Sequence, residues 1–181
     1  DFGTASIENN GNTILVTGNG WKSIDFSYQI TFNTILEFDF RSTVQGDEHS
    51  IGLDDDLNAE NVRRRFKLYG PQSFNTILDY DTYSGSGEYE HFVIPIGDHY
   101  TGTMDRIFFV ADHDTIPFNG TSYFRNVRIY EDSCGGKKGQ NIDFNSIDHH
   151  FITDSIVPLT ANASSGLPVE FEIISGPAIL Q

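Results

Sequence analysis

The side chains best equipped for chemistry in this sequence are carboxylates gathered at two strand ends. Ile51-Gly52-Leu53 runs into Asp54-Asp55-Asp56, and Val110-Ala111 runs into Asp112-His113-Asp114. Side chains in a strand alternate between faces, so three consecutive aspartates converge only where strand gives way to loop. Two unit charges about 4 Å apart repel by roughly 4 kcal/mol at an effective dielectric of ~20, so such clusters need a cation or ample water. Calcium takes roughly six to eight oxygens from carboxylates, carbonyls and water, and suits this inventory. Asp54, Asp55, Asp56, Asp112 and Asp114 are therefore candidate calcium ligands; the alternative is two solvated acidic loops. His113 faces away from its neighbours in extended backbone and is expected to hydrogen-bond a partner or a sugar, since calcium prefers oxygen.

A second group is aromatic. Tyr69, Gln72 and Phe74 follow the run Arg63-Arg64-Arg65, and Tyr80, Tyr83 and Tyr89 flank Ser84-Gly85-Ser86-Gly87. Flat apolar rings beside groups that fix orientation are what a sugar-binding surface needs. Tyr69, Gln72, Tyr80, Tyr83 and Tyr89 are candidate carbohydrate contacts, with half-buried packing as the alternative for each tyrosine. Trp21, the single tryptophan, is expected to pack at a core or sheet edge, with sugar stacking as its functional reading. The arginine run with Lys67 reads as a solvated local patch that could meet an acidic sugar.

These residues must be positioned by β-structure. Fifteen Phe, eight Tyr and seventeen Gly, with one Met and no long helical periodicity, point to an all-β protein. Ten strands are expected in the first 131 residues, among them Thr13–Thr17, Thr34–Arg41, Arg65–Tyr69, Thr76–Tyr80 and Glu88–Ile96, with tight turns at Asn10-Gly11 and Gly18-Asn19-Gly20. In Thr34–Arg41, Leu36, Phe38 and Phe40 share one face and Glu37, Asp39 and Arg41 the other. Phe108-Phe109-Val110 is apolar on both faces, as in a central strand. The architecture these imply is a β-sandwich or barrel.

Composition narrows the partners. Twenty-six acidic residues against eleven basic ones give a net charge of −15, which argues against nucleic acid and anionic membranes and suits secretion, calcium and glycans. The single cysteine, Cys134, allows no internal disulfide, and no apolar run is long enough to span a membrane. Asn119-Gly120-Thr121 and Asn162-Ala163-Ser164 match the glycosylation triplet, which is common by chance. The opening Asp1-Phe2-Gly3 reads as a processed product or an excised fragment.

After residue 131 the composition shifts. Residues 132–139 read as a linker, and 140–181 as a partial second domain with strand-like Asn141–Phe144, Ser155–Leu159 and Val169–Ile174.

Trp21, Thr34–Phe40, Gly52–Asp56, Phe66–Gln72, Ile94–Gly97, Phe109–Asp114 and Phe124–Glu131 together resemble a jelly-roll carbohydrate-binding module of secreted bacterial proteins. The likeness extends to calcium-dependent xylan-binding modules. It implies a non-catalytic β-sandwich (jelly roll) that binds polysaccharide or oligosaccharide, with calcium bridging loop aspartates and sugar hydroxyls. Carried over, Asp54, Asp56, Asp112 and Asp114 would be ligands, while Ala111 stands where a polar residue is expected. Gln140–Phe144 through Ala163–Val169 resemble the opening of a bacterial immunoglobulin-like repeat, which acts as a spacer. Secretion or a bacterial cell surface follows from both likenesses.

An enzyme is the competing class. Phe66–Gln72 is similar to the Tyr/Lys/Gln strand of alginate lyases, but the companion arginine-glutamate and Gln-x-His strands are missing. No Gly-x-Ser-x-Gly elbow, HExxH helix or phosphate loop is present. A structural or adhesive surface module with calcium-stiffened loops is the third reading.

Overall fold

Alternation does in space what it does in sequence. In a computed structural model, which describes residues 2–58, 63–132, 141–144, 156–164, 166, 168–176 and 179, Thr34–Arg41 forms a strand whose Leu36, Phe38 and Phe40 are fully buried. The chain divides into two units, Asp1–Gly136 and Lys137–Gln181.

The first unit contains β1 (Thr4–Glu8), β2 (Thr13–Thr17), β3 (Gly20–Ile30), β4 (Thr34–Arg41), β5 (Glu48–Asp54), β6 (Arg65–Tyr69), β7 (Thr76–Ile77), β8 (Glu90–Ile94), β9 (Gly102–Asp112) and β10 (Thr121–Glu131). They pair into two five-stranded sheets, ordered β1-β2-β10-β4-β8 and β3-β9-β5-β6-β7. Without the short β1 and β7, the chain alternates between sheets, except at the paired β5 and β6, in the nested antiparallel order of a jelly roll. The expected sandwich is present. The expected strands Thr76–Tyr80 and Glu88–Ile96 are shorter, because Leu78–Thr82 turns and Ile96–Asp98 closes a 3-10 turn.

Apolar side chains from both sheets meet between them. Phe66, Leu68, Ile51, Leu53 and Phe109 face Leu36, Phe38, Phe40 and Phe124, all 2% exposed or less. Phe109 and Phe124 cross edge-on at 5.1 Å, and Phe38 stacks on Phe92 at 5.4 Å. Each buried large side chain contributes roughly 1.5–3 kcal/mol, so this layer dominates the stability of the unit. Central β9 is buried through Ile107–Ala111, as its two-sided apolar sequence requires.

Around Arg65 the outward face of the second sheet is covered. Arg65 is 1% exposed; its Nε lies 3.4 Å from Glu48 Oε1, its terminal nitrogen donates to the Phe74 carbonyl at 2.8 Å, and its guanidinium carbon lies 4.5 Å from the centre of the Trp21 ring. Trp21 Nε1 donates to Asp112 Oδ1 at 3.1 Å, and Lys67 Nζ pairs with Asp81 at 2.7 Å. Arg64, Arg65 and Lys67 thus correct the reading of the basic run as a solvated patch, since each is drawn to a carboxylate, with Asp81 supplied by the segment after β7, while Arg63 is exposed. Gly52 permits this close packing, since a Cβ there would stand 2.3 Å from the Arg64 carbonyl oxygen.

In the second unit, Ile142–Phe144 pairs with Ala161–Ala163 as β11 and β12. Residues 156–159 and 169–174 are not strands, and the small-residue Ala161–Ala163 pairs instead. The linker 133–139 lies outside the described residues.

Candidate functional site

The face of the first sheet that points away from the core carries the densest open array of chemistry. On β4 the outward positions are Ile35, Glu37, Asp39 and Arg41, the polar half of the alternation that buries Leu36, Phe38 and Phe40. Across from them stand Tyr123 opposite Arg41, Arg125 opposite Asp39 and Arg128 opposite Glu37 on β10, and His91 opposite Asp39 and Val93 opposite Glu37 on β8. Tyr89 lies immediately before β8 and completes the row with Arg41.

Strict alternation along β10 would send Arg125 outward and Arg128 inward. A bulge between them lets two β10 residues face one on β4, and Asn126 takes the extra turn at φ 54°. Asn tolerates this left-handed conformation, and its Nδ2 donates to Asp39 Oδ2 at 2.8 Å. The bulge places Tyr123, Arg125, Arg128 and Tyr130 on one face.

Two of the three guanidiniums are matched by carboxylates. Arg125 Nε donates to Asp39 Oδ2 at 3.0 Å, and Arg128 pairs closely with Glu37, which also accepts from the Tyr130 hydroxyl at 2.8 Å. Burial alone would push Asp39 up, yet hydrogen bonds from His91, Asn126 and Arg125 hold its carboxyl below the usual range. The Tyr130 hydroxyl and Arg128 likewise lower Glu37. Both are anions at neutral pH.

Arg41 is different. Its guanidinium carbon lies 4.3 Å from the centre of the Tyr123 ring and 4.8 Å from that of Tyr89, and no carboxylate pairs with it among the described residues. Its Nε is buried without a hydrogen-bond partner. Arg125 also stands over Tyr89, at 3.8 Å. The result is a Tyr123–Arg41–Tyr89 row, bordered by the paired Arg125, Asp39 and His91.

The carboxylate clusters separate. Because β5 and β9 are antiparallel, Glu48 lies opposite Asp112 and Asp54 opposite Arg106. Asp54 and Asp112 thus stand at opposite ends of a ladder roughly 20 Å long, and Asp54–Asp56 cannot share an ion with Asp112 and Asp114. Asp54, Asp55 and Asp56 do converge, with oxygens within 4.8 Å of one another, as the passage from strand to loop predicts. Arg64 bridges two of them, at 2.5 Å from Asp54 Oδ1 and 2.6 Å from Asp55 Oδ1. Three carboxylates and one guanidinium leave two negative charges, so the donor set fits a divalent hard cation beside Arg64. Burial pushes Asp54 up, while Arg64 holds Asp55 below the usual range. Asp112 and Asp114 are otherwise engaged: Asp112 accepts from Trp21, and Asp114 accepts from Asn19 Nδ2 at 2.8 Å.

Of the candidate sugar contacts, only Tyr89 lies in the array. Tyr83 is withdrawn into the core, its hydroxyl 3.0 Å from the Glu88 carbonyl oxygen and accepting from the Gly87 amide. Tyr69 packs edge-on against Tyr83 and beside His49, and Tyr80 packs against Phe66 and His99. Gln72 is exposed in the loop after β6, and its backbone amide donates to Asp47. His113 accepts from the Asn119 amide at 3.4 Å. Tyr123, Arg41 and Arg125 are not among the site residues read from the sequence; alternation along β4 sets Arg41 on the outer face, and the Tyr-x-Arg pattern of β10 is the signal for the other two.

No family model matches the chain, and no curated protein matches it. Among solved structures it is similar to the crystal structure of a family 30 carbohydrate-binding module, at 14% identity and a TM-score of 0.41, over 71% of this chain and 84% of that one.

Proposed function

We propose that this chain is a non-catalytic carbohydrate-binding module of a larger secreted or cell-surface bacterial protein, holding polysaccharide on the outward face of its first sheet. The observation that carries the reading is the row Tyr123–Arg41–Tyr89, in which rings and a forked donor lie side by side on an open sheet. Rings offer flat apolar faces to sugar rings, and guanidinium, carboxylate and imidazole groups supply the directional hydrogen bonds that fix orientation. Calcium's place in this reading is the Asp54–Asp56 loop, where it would offset the charge left over by Arg64, away from the sugar. The second unit serves as the start of an immunoglobulin-like spacer.

The test is affinity electrophoresis against plant and algal polysaccharides, with calcium and with EDTA. Retardation by at least one glycan, lost in Tyr123→Ala, supports the proposal. No retardation on any gel would make the domain an adhesive or structural module.

A further inference from the structure

Among the described residues, Arg41 has no carboxylate within salt-bridge distance, in a chain with more than two acidic residues for every basic one. Arg125 and Arg128 on the same face, like Arg64, Arg65 and Lys67 elsewhere, each have a carboxylate within salt-bridge distance. Arg41 has two aromatic rings instead, and a buried Nε with no acceptor. A buried donor without a partner costs free energy.

We infer that Arg41 anchors an oxyanion carried by the saccharide, a sugar carboxylate or a sugar sulfate, between the rings of Tyr89 and Tyr123. This rests on the reading of the face as a glycan platform and names the substrate class. The rings hold the guanidinium in place, which lowers the entropy lost when it takes up a ligand, and its planar fork matches a carboxylate or sulfate edge. The carboxylates of this face that the structure pairs, Glu37 and Asp39, are taken by Arg128 and Arg125, which leaves the Arg41 guanidinium to its two rings. A neutral sugar would leave Arg41 with only neutral acceptors.

Titration calorimetry with three probes tests this: an oligogalacturonide, a sulfated galactan oligosaccharide and a neutral xylo-oligosaccharide. The expected result is tighter binding of an acidic probe, weakened by added salt, and the better of the two identifies the oxyanion. Arg41→Gln should weaken that binding about tenfold or more, with Arg41→Lys recovering part of it. Equal binding of acidic probe by Arg41→Gln, or binding of the neutral probe alone, overturns the inference and leaves the glycan platform standing. Failure of all three probes, with the panel above also negative, overturns both. Circular dichroism and melting of each variant distinguish lost binding from lost fold.

Discussion

Single side chains here act through what they are paired with. His49 is fully buried between the sheets: Nε2 accepts from the Gly46 amide at 2.7 Å, and Nδ1 lies 2.7 Å from Ser122 Oγ, which donates to the Val110 carbonyl. Burial, with the nearby His113 adding to it, lowers its pKa from 6.5 to about 3. The folded state thus keeps the ring neutral while the unfolded chain protonates it near pH 6.5. Stability from His49 is complete above that pH and is lost as pH falls toward about 3, at about 1.4 kcal/mol per pH unit. Denaturant melts of wild type and His49→Gln from pH 7 to 4 should show a steeper acid loss in wild type. Parallel curves would mean that His49 is not held neutral. Asp39, also depressed, loses its contribution in the same direction, so the comparison between the two proteins is the informative one.

Whole strands present those side chains, and here the sequence was legible in part. The faces of β4 followed from alternation alone, and so did the two-sided burial of β9. What alternation could not reveal was the partner across the sheet, because Tyr123 meets Arg41 only once β10 folds back between β2 and β4. Nor could it reveal the bulge, which reverses the facing of Arg128 and Tyr130 by inserting one residue. Of the tyrosines that flank the Gly/Ser loop, Tyr83 turns inward and its hydroxyl accepts from the Gly87 amide of that loop, while Tyr89 reaches the outward face. The bulge makes a prediction at this scale. Asn126→Val, forced to φ 54°, should lose about 1–2 kcal/mol and weaken glycan binding, whereas Asn126→Gly keeps the fold. Equal stability of Val and Gly variants would show that the left-handed turn is not what holds the register.

At the scale of the molecule, an acidic chain distributes its few cations. Arg64, Arg65 and Lys67, consecutive or alternate in sequence, go to four different carboxylates and tie the β5–β6 end and the segment after β7 to the second sheet. Asp54–Asp56 is the place where that supply falls short. In Arg64→Ala, melting temperature in EDTA should drop by a few degrees, and millimolar calcium should restore more of it than calcium adds to wild type. Calcium that shifts neither protein would remove the ion from the account while leaving the sugar face untouched.

The central claim is that the outward face of the first sheet holds the glycan. Amide chemical-shift mapping of the first unit with a binding oligosaccharide tests it directly. Perturbations concentrated on Arg41, Tyr89, His91, Tyr123 and Arg125 are the predicted result. Perturbations concentrated instead on Trp21, Gln72, Asp112 and His113, with β4 and β10 silent, would contradict it.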